Sequence, residues 1–249
     1  MNLVVNGILT NYQLINPHAK KDCLVLHGWG HHSGLWLNLC SQLNKNYRFI
    51  LLDLPGSGAT HFLPSDHNNV PDYSQFIVNF LSKLKITKTV IIGHSFGGQI
   101  AAYLGLKHPD LISQLILVSP AVIRRQTPKQ KIKIFLFSRF NFLKTIIPKS
   151  IFQLLLKQFS STDYYHASSH HKNILKKIVN FELYWDLPKI SLPVILIWGD
   201  TDFDAPSVHA KTVANLLSDC RFYLIYDAGH NLYLTHPSEV TSIINRHLL

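Results

Sequence analysis

Residues 89–106 read TVIIGHSFGGQIAAYLGL, and the serine in this stretch, Ser95, is placed for nucleophilic chemistry. Thr89, Val90, Ile91 and Ile92 suit a buried strand. Gly93-His94-Ser95-Phe96-Gly97 interrupts them, and residues 99–106 resume at helical spacing. A G-x-S-x-G turn between strand and helix presents the serine hydroxyl at the carboxyl edge of a sheet. The turn leaves little room for side chains two positions before and two after the serine. Gly93 and Gly97 meet that demand, and glycine also adopts backbone angles closed to other residues. The helix behind the serine points free N–H groups and partial positive charge at whatever Ser95 attacks. A serine hydroxyl is nevertheless a weak nucleophile. It needs a base to take its proton, and a third group to hold that base.

The elements that would position such groups alternate along the chain. Residues 3–5 and 12–15 read as short strands joined by an Asn6-Gly7 hairpin turn. Residues 23–26 and 49–52 are continuous apolar runs, as in strands covered on both faces. The first ends in His27-Gly28-Trp29-Gly30, the second in Asp53-Leu54-Pro55-Gly56-Ser57-Gly58. Helices are expected over 35–43 and 73–84, and another short strand over 115–118. The alternation breaks at Ala121 and returns at Pro193, with strands over 194–198 and 222–226 and helices over 207–217 and 237–249. Alternating strands and helices predict an α/β fold, a mostly parallel twisted sheet wrapped on both faces. Ligands in such sheets gather beyond the carboxyl ends of the strands.

Two loops after late strands complete the picture. One is Trp198-Gly199-Asp200-Thr201-Asp202-Phe203-Asp204, the other Asp227-Ala228-Gly229-His230-Asn231. With H-G-W-G, D-L-P-G-S-G, G-H-S-F-G-G, W-G-D-T-D and A-G-H in this order, the chain resembles the α/β-hydrolase-fold family of serine hydrolases over essentially its whole length. The resemblance implies Ser95 as nucleophile, Asp202 as the acid and His230 as the base. It singles out Asp202 over Asp200 and Asp204 by the spacing from the strand-end glycine. It also implies an oxyanion hole from the backbone N–H groups of Trp29 and Phe96, no cofactor, and a helical cap over 121–190 between core segments 1–120 and 191–249. The implied activity is hydrolysis of a carboxylic ester or thioester through an acyl-enzyme. Carbon–carbon bond hydrolases and lyases share the fold and triad, and a non-catalytic receptor retaining the triad is a third class. Dehalogenases and epoxide hydrolases are disfavoured, because they carry a carboxylate where Ser95 stands. His94 is expected to be structural, and Asp53 to shape its turn.

Composition narrows the remaining classes. With 249 residues, 47% hydrophobic and 15% charged, the chain has the material for one large core. The N-terminal residues lack a basic stretch followed by a long apolar one, and no apolar run is long enough to span a bilayer. Three cysteines without CxxC spacing suit a reducing, cytoplasmic setting. The histidine groups His27/His31/His32 and His166/His170/His171 lack companion carboxylates or thiolates, so no metal is expected.

The net charge of +10 is uneven: residues 121–186 hold twelve basic residues against three acidic ones. A solvated surface is the plain account. Some family members, such as the esterase that cleaves a methyl ester from a pimeloyl group on acyl carrier protein, dock an acidic carrier on a basic cap, and H-G-W-G is similar to theirs. Arg124, Arg125 and Lys129 are the candidate docking residues. Attraction to an anionic membrane surface is weaker, because the basic positions do not share one helix face. Nucleic acid is a poor fit. The apolar residues of the same segment, from Ile132 to Phe159, favour an acyl or aromatic substrate.

Overall fold

The structure is a computed structural model that describes residues 1–64, 68–123 and 169–248. It divides into two compact units, Met1–Ile123 with Phe181–Leu249, and Arg124–Asn180.

The first unit is built on an eight-stranded sheet of order β1-β2-β4-β3-β5-β6-β7-β8. Its strands are β1 (Asn2–Val5), β2 (Ile8–Ile15), β3 (Lys21–Leu26), β4 (Tyr47–Leu52), β5 (Thr89–His94), β6 (Ile112–Val118), β7 (Val194–Gly199) and β8 (Cys220–Ile225). β1 and β2 pair antiparallel, β2 pairs antiparallel with β4, and the remaining strands run parallel. The Asn6-Gly7 hairpin forms as expected: both residues have positive φ, 51° and 80°, which suits a two-residue turn matched to strand twist. β2 is four residues longer than the run expected from Tyr12, because Ile8, Thr10 and Tyr12 alternate inward while Leu9 faces out. β5 and β7 are buried at every position, as parallel strands covered on both faces must be.

Strand order places the candidate site. From β3 the chain crosses to β4 on one side, then returns past β3 to β5 on the other, so the connections diverge between β3 and β5. In an open parallel sheet this is where a crevice opens. The register Leu26↔Gly93 makes the ends of β3 and β5 level, so the His27-Gly28-Trp29 loop leaves the sheet beside Ser95.

Three helices support the first half of the unit: α1 (Leu37–Ser41), α2 (Val70–Lys83) and α3 (Phe96–Lys107). α2 starts three residues earlier than expected because Asn69 caps it: its side chain accepts from the Asp72 N–H while Asp72 accepts from the Asn69 N–H. The helix expected over 35–43 is a 3₁₀ turn, Ser33–Trp36, running into the short α1. The helix expected over 207–217 divides likewise, into Ser207–His209 and Ala210–Leu216. The terminal helix is Pro237–His247. Among the described residues no helix is long and apolar enough to cross a membrane, and the free cysteines are Cys23, Cys40 and Cys220.

Residues 181–190 belong to the first unit, where the Leu183 N–H donates to the Val122 carbonyl at 3.1 Å and Gln99 Nε2 to the Phe181 carbonyl at 2.7 Å. The second unit contributes one described helix, Ser169–Val179, in which Ile174 and Ile178 are buried one turn apart and Lys176 and Lys177 are exposed. The apolar run from Ile132 to Phe159, with Arg124, Arg125 and Lys129, lies outside the described residues.

Candidate active site

The bend around Ser95 is sharper than a five-residue turn. β5 continues through Gly93 and His94, and α3 begins at Phe96, so the reversal is confined to Ser95. Ser95 itself takes the strained angles, φ 51° and ψ −112°. Gly93 and Gly97 are not at positive φ. Their role is steric: a Cβ on Gly97 would run into the carbonyl oxygens of Leu26 and His27, and one on Gly93 would come within 2.6 Å of the Gly97 carbonyl. The glycines let α3 begin against the end of β3, and the dihedral cost falls on the serine.

Hydrogen bonds hold that strained residue from both sides. The Ser95 N–H donates to the Val118 carbonyl at 3.0 Å, while its own carbonyl accepts from the Gln99 N–H at 2.9 Å and the Ala121 N–H at 3.0 Å. Its hydroxyl is thereby aimed beyond the sheet, where Ser95 Oγ lies 2.8 Å from His230 Nε2. His230 Nδ1 lies 2.8 Å from Asp202 Oδ2. The structure thus joins Ser95, His230 and Asp202, from three separate loops, in one hydrogen-bonded line. The Asp202 side chain is fully buried and that of His230 is 14% exposed. Asp202 Oδ1 accepts from the N–H groups of Asp204 and Ala205 at 3.0 and 2.8 Å, so backbone donors fix the carboxylate that holds the imidazole. Asp204 is exposed, and Asp200 offers its carbonyl to the Ser207 hydroxyl at 2.6 Å. Their roles are those of turn residues.

The loops carrying Asp202 and His230 are fastened to each other. The Thr201 N–H donates to the Ala228 carbonyl at 3.0 Å and the Asp200 N–H to the Ile225 carbonyl at 3.0 Å. A side chain at Gly199 would strike the Ala228 carbonyl.

Trp29 and Phe96 flank the serine. Phe96 is the first residue of α3, so its N–H has no acceptor within the helix. Trp29 follows Gly28, where a Cβ would stand 3.3 Å from Ser95 Cβ. The Trp29 and Phe96 rings meet edge to face at 5.8 Å, and Tyr73 packs on Phe96 in the same manner at 5.0 Å.

The histidines near the first loop have protein partners. His27 accepts from the Leu54 N–H at Nε2 (3.0 Å), which leaves Nδ1–H to donate to the Gly28 carbonyl (2.7 Å). Burial pushes its pKa down to about 4, so the ring is neutral and clamps the loop that presents Trp29. The H-G-W-G motif carries no sign of that clamp, because the partner N–H belongs to Leu54, 27 residues on. Asp53 shapes its turn, accepting from the N–H groups of Ser33 and Ala59 at 2.8 and 3.0 Å. His31 is bonded to the Tyr233 hydroxyl at 2.9 Å, and Tyr233 stacks on Trp36 at 4.2 Å. No feature of the sequence marked Tyr233. Among the described residues no group of three His, Cys, Asp or Glu side chains is arranged to hold a metal ion.

Comparison with known proteins agrees with this architecture. A family model described as alpha/beta hydrolase fold matches residues 24–146. The human monoacylglycerol lipase ABHD6 is 24% identical over 255 residues, covering 92% of this chain and 75% of its own. The pimeloyl-[acyl-carrier protein] methyl ester esterase of Nitrosomonas europaea is 27% identical over 240 residues, covering 89% of this chain and 93% of its own. Among solved structures, a membrane phospholipase A described as a bacterial virulence factor superposes with a TM-score of 0.81 at 23% identity, covering 100% of this chain and 84% of its own.

Proposed function

We propose, from the premise that this chain belongs to the α/β-hydrolase-fold family, that it is a serine hydrolase cleaving carboxylic esters through an acyl-enzyme. The observation that carries this is the unbroken relay from Ser95 Oγ through His230 to Asp202, 2.8 Å at each step. In that role His230 Nε2 takes the Ser95 proton as Oγ attacks the ester carbonyl. Asp202 keeps Nδ1–H of the same ring in place and stabilises the imidazolium that forms. The N–H groups of Phe96 and Trp29 receive the developing oxyanion, at the start of α3 where the helix dipole also favours negative charge. The proton on Nε2 then passes to the departing alcohol. Water, deprotonated by the same nitrogen, attacks the acyl carbonyl and releases the acid.

Three related proteins support an acyl ester as substrate: one is named a monoacylglycerol lipase, one a phospholipase A, and one an esterase for the methyl ester of a carrier-bound pimeloyl group. The purified chain should hydrolyse p-nitrophenyl esters, with kcat/KM rising from acetyl towards longer acyl groups. Failure to turn over any ester in the series would reject the assignment in favour of another chemistry on the same fold. The free thiols fit a reducing compartment, and the assignment is to a cytoplasmic enzyme.

A second reading concerns the partner. The twelve basic residues of 121–186 and the carrier-bound substrate named for the Nitrosomonas relative both favour delivery of the ester on an acidic carrier protein. Charge reversal at Arg124, Arg125 and Lys129 should then lower turnover of carrier-bound but not free methyl esters. Equal effects on both would dismiss the carrier.

A further inference from the structure

The residue before the nucleophile is a second, fully buried imidazole. His94 closes β5, and its Nε2 lies 2.9 Å from the carbonyl oxygen of His230, 136 residues away. A carbonyl oxygen only accepts, so Nε2 carries the hydrogen and Nδ1 is bare. Nδ1 has no hydrogen-bond partner. The space that admits it exists because position 28 is glycine, where a Cβ would stand 2.8 Å from that nitrogen. The ring lies parallel to His31 at a centroid distance of 5.7 Å, and tilts against Tyr233 and His230 at 4.8 Å each. Burial, and then the nearness of His230, hold its pKa well below the ordinary histidine range, with His31 and His27 adding to the effect.

We propose that His94 is a positioning residue: its Nε2–H, bonded to the His230 carbonyl, fixes the loop after β8 against the strand that carries the nucleophile, and so sets the Ser95–His230 geometry. This rests on His230 being the base of a serine hydrolase. The loop needs such a hold. It leaves β8 through Tyr226, 73% exposed, and Asp227, at φ 56°. The Thr201–Ala228 bond ties it to the β7 loop, whereas the His94 bond acts on His230 itself and comes from the residue next to Ser95. A neutral side chain suits the place, because the neighbouring His230 ring becomes positive as Ser95 attacks.

His94→Phe retains a ring without a donor, and His94→Gln offers an amide N–H near the position of Nε2. The test follows the rate at which a fluorophosphonate phosphonylates Ser95, the downfield proton resonance of His230 Nδ1–H, and thermal unfolding. His94→Phe should label Ser95 about 10²-fold more slowly, the order expected when a catalytic group is displaced by about 1 Å, with the His230 resonance shifted or broadened. His94→Gln should recover most of the rate and the resonance. Wild-type labelling in a folded His94→Phe protein would overturn the proposal. So would equal slowing in His94→Phe and His94→Gln with the His230 resonance unmoved in both. Should His94→Phe fail to fold, His94→Asn replaces it: its shorter amide does not reach the carbonyl, so it must label more slowly than His94→Gln, and equal rates would refute the role. Absence of labelling in the wild-type protein is a separate result, and would remove the serine-hydrolase assignment together with everything built on it.

Discussion

Ser95 is bonded to Val118 at the end of β6: the serine N–H donates to the Val118 carbonyl at 3.0 Å, and this bond helps to keep Ser95 at φ 51°. Such angles cost a non-glycine residue about 1–3 kcal/mol. Ser95→Gly should therefore abolish activity yet raise the urea midpoint and melting temperature, while Ser95→Ala retains the strain and gains less. A Ser95→Gly protein no more stable than Ser95→Ala would show that the bend is relaxed.

The steric role of Gly97 predicts a contrast between glycines. A Cβ there meets the Leu26 and His27 carbonyls, which are backbone and cannot rotate away, whereas a Cβ on Gly229 meets nothing within 4 Å. Gly97→Ala should lose at least about 1–3 kcal/mol, and Gly229→Ala should stay within about 0.5 kcal/mol of wild type. Chemical denaturation of the two variants side by side decides the matter.

Of the three aspartates after β7, only Asp202 is within hydrogen-bond reach of His230. Asp202→Asn should lower kcat by about 10⁴, by analogy with the same change in a well-characterised serine protease. Asp204→Asn should remain near wild type, since Asp204 contributes its backbone N–H to Asp202 and its side chain faces solvent. Steady-state rates on one activated ester suffice for both.

The buried neutral imidazoles make stability depend on pH. Burial takes the pKa of His27 from 6.5 to about 4, and lowers that of His94 also. Below about pH 6.5 the unfolded chain binds protons at these positions that the native protein does not. Stability is therefore full above about pH 6.5 and falls as pH descends towards about 4, with His27 alone contributing on the order of 3 kcal/mol across that window. Urea midpoints at about pH 7.5 and about pH 5 should differ accordingly. His27→Gln, which removes one of the two titrating rings, should reduce the dependence and leave the part due to His94. A wild-type midpoint unchanged over this range would contradict the burial of neutral rings.

Most of the fold was legible because apolar runs such as 23–26 and 49–52 state their own burial, and because Asn6-Gly7 carries its turn chemistry locally. Boundaries were less so. Asn69 moves the start of α2 to Val70 through a capping box with Asp72, ahead of the apolar periodicity that begins at Tyr73. Residues 207–217 divide into a 3₁₀ turn and a short helix, and the start of the turn is tied by the Ser207 hydroxyl to the Asp200 carbonyl, a contact the local pattern does not carry. At the site, motif order pointed to Ser95, Asp202 and His230, whose side chains are joined in space. His94 was expected to be structural, but its partner was not legible, and the supports at His27 and Tyr233 were hidden, because each acts through backbone groups or rings distant in sequence. The turn glycines also differ from expectation in one respect. Gly93 and Gly97 only make room, and Ser95 bears the backbone strain.

In the proposed mechanism Ser95 Oγ becomes covalently acylated. Treatment of the folded chain with a fluorophosphonate, followed by peptide mass mapping, tests it most directly. A single adduct on Ser95, lost in Ser95→Ala and strongly slowed in Asp202→Asn, is the predicted result. No adduct, or one that persists in Ser95→Ala, would contradict it.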